Sequence, residues 1–339
     1  MKTITIGLDI AKNIFHAVHM TSHGKILKKK KLNRTAVLSY FAQIELSCIV
    51  MESCGSSNYW ARELVNLGHT VKLIAPQHVV AYRRKNKNDY NDAEAIAEAS
   101  QRDSMTFVPI KTREQQDAQI VLRIRERLIR QRTQLSNQAR GMLLEQGISI
   151  NRGWSAFRKV LPEVLEDANN NLTSISRELF NDLYEEFKAL CERIERVEQR
   201  IKSFTETNDV CQQAQTVVGI GPITAIALYA AIGQGKHFQN GRHFAAWCGL
   251  VPRQHSTGGN QTMLGISKKG NIQLRTLLVA GARSALSRMD KKEDKLSQWA
   301  IKLKATKSFN IACVALANKL ARIVWSVICN DKAYELKGA

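Results

Sequence analysis

The chain has 339 residues, room for about two domains, and carries 50 Lys+Arg against 30 Asp+Glu, a formal charge of +20. An excess of that size calls for a polyanionic partner, nucleic acid before an anionic membrane surface. The seven cysteines are scattered, odd in number and form no CxxC pair, which argues against a disulfide framework or a zinc site and suits a reducing cytoplasm. No apolar run reads as approaching the ~20 residues of a spanning helix, and the opening MKTITIGLDIAK reads as a strand rather than a signal peptide.

In chain order, residues 3–10 alternate, are β-branched and include Asp9. Residues 15–20 and 25–29 are two further short strands around a turn at 22–24. A helix is expected over 35–44, and a buried strand over 48–51 that ends at Glu52. A second helix, 58–67, is closed by Gly68, and another strand, 70–75, is stopped by Pro76. Three strands followed by alternating helices and strands make an α/β domain with a mixed sheet. Next comes RRKNKNDYNDAEAIAEA, residues 83–99, where a basic run (Arg83, Arg84, Lys85, Lys87) gives way to Asp89 and Asp92. The Ala- and Glu-rich stretch that follows is helical, and a spacing of three puts both aspartates on one face near its N-terminus.

Heptad patterning fills the middle of the chain. Val121, Leu128, Leu135 and Met142 recur every seven residues, and Leu183, Phe187, Leu190, Ile194, Val197, Ile201 and Phe204 alternate four and three. The second series is a coiled-coil seam, read as a helical hairpin or arm over 111–210 suited to joining subunits. After residue 210 the sequence VVGIGPITAIA resembles a helix-hairpin-helix turn, in which Gly219 and Gly221 let backbone N–H groups approach a phosphate. Residues 244–271 read as a Gly/Ser/Lys-rich loop, and 272–286 and 310–327 as helices. Arg253, Lys268, Lys269 and Arg275 are the expected DNA contacts of this 211–339 region, as are Lys12 and the 83–87 run of the 1–110 domain.

Asp9 and Glu52 close two strands of one sheet and Asp89 and Asp92 open a helix, the arrangement an RNase H-like nuclease uses. Phosphodiester chemistry is helped by two hard cations about 3.5–4 Å apart, and Mg²⁺ takes carboxylate and water oxygens without requiring His or Cys. A nuclease that cuts with water, or a protein that only binds nucleic acid, fits these residues as well.

The blocks IGLDIAKNIFHAV, VMESCGSSNYWARELVNLGHTV, KNDYNDAEAIAEA, VVGIGPITA and GLVPRQHSTGGNQTMLGISKKGNIQLRTLLVAGARS, in this order, resemble the DEDD transposases of bacterial insertion sequences. These are the recombinases guided by a bridge RNA. The resemblance implies a RuvC-like (RNase H-fold) α/β domain, a coiled-coil arm and a mostly helical C-terminal transposase domain. It also implies an acidic tetrad of Asp9, Glu52, Asp89 and Asp92 holding Mg²⁺ or Mn²⁺, and Ser256 as the nucleophile that forms a phosphoserine link to DNA. The family's serine is generally followed closely by glycine. Here Thr257 stands between Ser256 and Gly258, and Ser267 in GISKKGN is a second candidate. DNA, a non-coding RNA and further copies of the chain are the implied partners, with a site composed from the tetrad and the serine.

Overall fold

The computed structural model describes residues 4–83, 88–290 and 293–335, which fall into two compact units, 1–112 and 113–339. The first contains β1 (Thr5–Ile10), β2 (Ile14–Met20), β3 (Ile26–Asn33), α1 (Val37–Ala42), β4 (Cys48–Glu52), α2 (Ser57–Asn66), β5 (Thr70–Ile74), α3 (Pro76–Val79), α4 (Asp89–Ser100) and β6 (Phe107–Val108). Its six strands form one mixed sheet in the order β3-β2-β1-β4-β5-β6. β1 runs antiparallel to β2 and parallel to β4. The apolar positions of β1 and β4 (Ile6, Leu8, Ile49, Met51) meet Trp60, Ala61 and Leu64 of α2 in one core, as an α/β layer requires. β3 runs four residues beyond the 25–29 expected, because the alternation that marks a strand is hidden by four consecutive lysines, all exposed.

Helix α4 covers the other side of the sheet at unusually close range. A Cβ on Gly7 would stand 2.0 Å from the Ala93 carbonyl oxygen and 2.9 Å from the Ala97 Cβ, so only glycine opposite two alanines permits this approach. Asn88 caps the helix, its side chain accepting from the Tyr90 N–H at 2.9 Å. This contact fixes where the first turn of α4, with its two aspartates, lies over β1.

The second unit comprises α5 (Arg113–Glu145), α6 (Trp154–Glu166), α7 (Ser174–Thr207), α8 (Asp209–Gln215), α9 (Pro222–Ile232), α10 (Gly241–Trp247), β7 (Pro252–Thr257), β8 (Asn260–Ile266), α11 (Ile272–Leu286), α12 (Lys295–Thr306) and α13 (Phe309–Asn330). The heptad seam of α7 is filled from within the chain. Phe187, Leu190 and Ile194 pack with Leu128, Leu135 and Leu143 of α5 and with Phe157 and Leu161 of α6. Arg125 Nε donates to Glu198 at 2.8 Å across the same pair of helices. The seam thus closes an internal helical hairpin, the first of the two forms read from the sequence. At the base of the hairpin Ala118, Leu122 and Ile201 share a core with α8, α9, α11 and α13.

Two expectations are corrected and one helix was not foreseen. Residues 244–271 are not a loop: α10 runs into the β7–β8 hairpin, whose turn residues Gly258 and Gly259 have φ of 56° and 84°, the left-handed pair a type I′ turn demands. Helix α12, unforeseen, starts at Asp294, whose carboxylate accepts from the N–H groups of Leu296 and Ser297. Helix α13 is long and apolar enough to cross a membrane by length and composition. Its apolar face (Leu316, Leu320, Val324 and their neighbours) is buried in the core of its own unit, which accounts for the composition.

A candidate metal centre and a serine hairpin

The parallel pairing of β1 with β4 ends at Leu8 opposite Met51, so Asp9 and Glu52, each one residue further along, leave adjacent strands side by side. The Gly7 contact of α4 brings Asp89 and Asp92 over the same edge. The other three acids act on Asp9: its carboxyl is pushed up to about 6, first by burial and then by the charges of Asp92, Asp89 and Glu52, with Arg83 opposing the rise. Asp92 is 8% exposed, whereas the Asp89 side chain is two-thirds exposed. Such a gathering of carboxylates is unfavourable without cations, and its oxygens are the donor set that Mg²⁺ or Mn²⁺ takes. Asp9, Asp89 and His16 together place three possible ligand atoms within 4.8 Å of one another.

Arg83, expected to face nucleic acid, is turned inward. Its Nη2 donates to Glu52 Oε2 at 2.6 Å and its Nε lies 3.2 Å from Asp92 Oδ1. Two acids at this range outcompete solvent for a guanidinium, so Arg83 belongs to the acidic cluster. Arg84, Lys85 and Lys87 lie outside the described residues. Lys12 is exposed in the β1–β2 turn, where its carbonyl accepts from Arg34 Nη1 at 3.2 Å. Cys54, two residues beyond Glu52, is exposed. Its thiol is held above the ordinary range by partial burial and by the charges of Glu52 and Asp9.

His16 was missed by sequence reasoning. It lies directly across the β1–β2 ladder from Asp9, and the one available signal was its place on the strand that follows the aspartate.

The serine region lies in the second unit. Ser256 stands on β7, one pair from the tip, opposite Gln261. Every residue of β7 is exposed, and the Ser256 hydroxyl accepts from Gln254 Nε2 at 2.7 Å. Ser267 lies at the root of the hairpin, where its N–H donates to the Val251 carbonyl at 2.8 Å. It lines a groove of about 1080 Å³ with Arg253, Lys268, Lys319 and Arg322 on its walls and Trp299 among its apolar residues. Lys268 adopts a left-handed φ of 54° there, and Lys269 is exposed beside it.

Two assigned contacts have another role. Arg275 Nη1 donates to the Cys248 and Lys269 carbonyls at 3.2 and 3.3 Å; it ties the segment after the hairpin to α10 and is spent as a brace. Gly219 packs against Gly281 of α11, and a Cβ on Gly281 would stand 2.0 Å from the Gly219 carbonyl oxygen. The missing side chain at Gly219 thus serves helix contact rather than phosphate approach. Gly221, with nothing near it, is exposed just before α9.

Comparison with known proteins finds matches in both units of the chain. A model described as "Transposase", of the DEDD type of the IS110 group, matches residues 6–147, and one described as "Transposase IS116/IS110/IS902 family" matches residues 211–298. The chain is 43% identical over 335 residues to the transposase for insertion sequence element IS1111A of Coxiella burnetii, covering 98% of this chain and 92% of that one. It is 44% identical over 335 residues to a probable family 20 transposase of Pseudomonas aeruginosa, covering 98% and 99%. A pilin gene-inverting protein of Moraxella bovis is 23% identical over 299 residues, 82% of this chain and 81% of that one. With similarity of this extent running through the acidic segment and the hairpin alike, the chain belongs to the IS110/IS116/IS902 family of insertion-sequence transposases.

Proposed function

We propose that this transposase cleaves and exchanges DNA strands through a phosphoserine intermediate, with its tetrad holding Mg²⁺ or Mn²⁺. The observation that carries the reading is the convergence of Asp9, Glu52, Asp89 and Asp92 from two strand ends and one helix N-terminus, close enough for three of them to raise the fourth's pKa. Unit 1 is read as RNase H-like on its three antiparallel strands, its following parallel strands and its acids at the strand ends. When bound, the divalent cations would activate the attacking hydroxyl and neutralise charge developing on the phosphate. The chain's own residues do the rest. Asp9, Glu52, Asp89 and Asp92 supply the oxygens, and Arg253 and Lys268 bring cations to the serine region. Ser256 Oγ forms a bond to phosphorus as the strand's own P–O bond breaks, and the serine proton leaves with the released strand hydroxyl. Keeping the phosphodiester's energy in the enzyme link lets strands be rejoined without a nucleotide cofactor.

A second assignment, Ser267 as nucleophile, is favoured by its place in the cation-walled groove, against the bare surface around Ser256. A suicide DNA substrate separates the two. Wild type is expected to give a covalent protein–DNA adduct and Ser256→Ala none; an adduct lost only in Ser267→Ala moves the role to that residue. A free 5′ phosphate with no adduct in any protein refutes serine attack and leaves hydrolysis. The chain acts as a dimer or tetramer joined through its long helices. The proposed guide is a structured RNA from the same element, and base pairing carries the sequence choice. Sequencing the nucleic acid that co-purifies with the protein tests this, and a population resembling bulk cellular RNA refutes it.

A further inference from the structure

We propose that His16 is a nitrogen ligand acting with Asp9 and Asp89, so that the acidic cluster is two unlike halves: a mixed nitrogen–oxygen position that selects Mn²⁺ over Mg²⁺, and an all-oxygen position at Glu52 and Asp92 guarded by Arg83. The inference rests on the reading of these acids as metal-binding and goes beyond it in assigning a new donor and a metal preference.

Directly opposed residues of an antiparallel ladder project to the same face, and Asp9 and His16 are such a pair. The His16 side chain is 9% exposed, and its Nδ1 stands 3.6 Å from Asp89 Oδ2, beyond ordinary hydrogen-bond length. Among the described residues no hydrogen bond satisfies the ring. The contrast with the other buried histidines is direct. His19 Nε2 is 2.9 Å from the Tyr40 hydroxyl. Both nitrogens of His69 are engaged, one by the Ser47 N–H at 3.2 Å and the other by the Phe41 carbonyl at 2.9 Å. Each of those two is tied to its surroundings by at least one ring hydrogen bond. His16 instead has its plane set by Tyr90, edge-on at 4.6 Å between centroids, and a nitrogen aimed at carboxylates.

Three ligand atoms within 4.8 Å of one another need only a modest closure to meet a small divalent cation, whose bonds of about 2.1 Å space neighbouring donors by about 3 Å. Asp89, the exposed member, is free to make it. Arg83 divides the cluster: it pairs directly with Glu52 and Asp92 and reaches Asp9 only as a weaker opposing charge, so the first cation enters the His16 half. Mg²⁺ strongly prefers oxygen and dehydrates reluctantly, whereas Mn²⁺, although content with oxygen, accepts an imidazole nitrogen more readily than Mg²⁺ does. A histidine in this half therefore shifts selection toward Mn²⁺.

The test uses full-length protein free of any histidine tag, stripped with EDTA and titrated with Mn²⁺. Pulsed electron paramagnetic resonance of the first equivalent is expected to show nitrogen coupling in wild type and none in His16→Gln, with affinity reduced by at least about tenfold. His16→Asp is expected to keep tight binding without nitrogen coupling and to lose discrimination against Mg²⁺. Circular dichroism identical to wild type certifies the fold of each variant. Wild-type Mn²⁺ without nitrogen coupling, or coupling that persists in His16→Gln, overturns the assignment. If binding is lost in Asp9→Asn but untouched in His16→Gln, the histidine inference fails while the tetrad stands. If wild type binds no divalent cation, both fail.

Discussion

Asp9 offers a perturbation whose sign changes with metal. Its carboxyl is raised from 3.8 to about 6, so the folded protein holds a proton there that the unfolded chain has already lost. Stability contributed by that proton is complete below pH 3.8, falls as pH rises through about 6, and is absent above it. At about 1.36 kcal/mol per pH unit the interval corresponds to roughly 3 kcal/mol. Asp9 is only half-buried, and solvent screening reduces the figure to about 1–2 kcal/mol. Asp9→Asn removes the charge without changing the shape. In EDTA at pH 7.5 the variant should therefore be more stable than wild type by that amount, a gain that shrinks as pH falls from 6 toward 4. With Mn²⁺ at about one hundred times its Kd, wild type gains about 2.7 kcal/mol by mass action, the variant gains little, and the order reverses. Hydrogen–deuterium exchange of peptides spanning β1 and β4 reads this unit separately from the rest of the chain. An Asp9→Asn protein less stable than wild type in EDTA at pH 7.5, or equally stabilised by Mn²⁺, would refute the account of repulsive carboxylates gathered for a cation.

Gly281→Ala puts a methyl 2.0 Å from the Gly219 carbonyl oxygen and should cost about 2–3 kcal/mol in chemical denaturation, with Gly141→Ala, which meets nothing within 4 Å, as the neutral or stabilising control. Phe187→Ala empties a fully buried site where the ring meets Phe157 edge-on at 5.0 Å. A loss of about 3–5 kcal/mol by the same measurement, without a change in oligomeric state by light scattering, is the outcome expected of an internal seam.

What the sequence disclosed about this site followed from strong local rules. Asp9 and Glu52 were readable because short apolar strands have few alternatives, and Asp89 and Asp92 because a three-residue spacing in a helical stretch fixes a shared face. The role of Arg83 was not readable: a charge run looks the same whether its first member points outward or, as here, between Glu52 and Asp92. His16 was hidden for a similar reason, since a lone histidine on a strand acquires meaning only from the residue opposite it, and register is a tertiary fact. The α7 heptads identify an apolar stripe but not its owner, and α5 of the same chain filled it. The β7–β8 hairpin escaped notice because β7 is polar throughout and neither strand buries a face, leaving only the Gly258–Gly259 pair to announce a turn.

Among the described residues the sheet of the first unit has two unpaired edges, and neither invites another strand. β3 presents Lys28 to Lys31 in succession, all exposed, and an incoming strand would have to bring its own backbone against that row of ammonium groups. At the far side β6 is two residues long and pairs only through Phe107 and Val108, too short a template to extend. Sheet continuation between copies is thus discouraged at both ends, a guard against aggregation in a chain whose central strands are strongly apolar. The same lysine row that repels a neighbouring β-strand has the charge that a phosphate backbone complements.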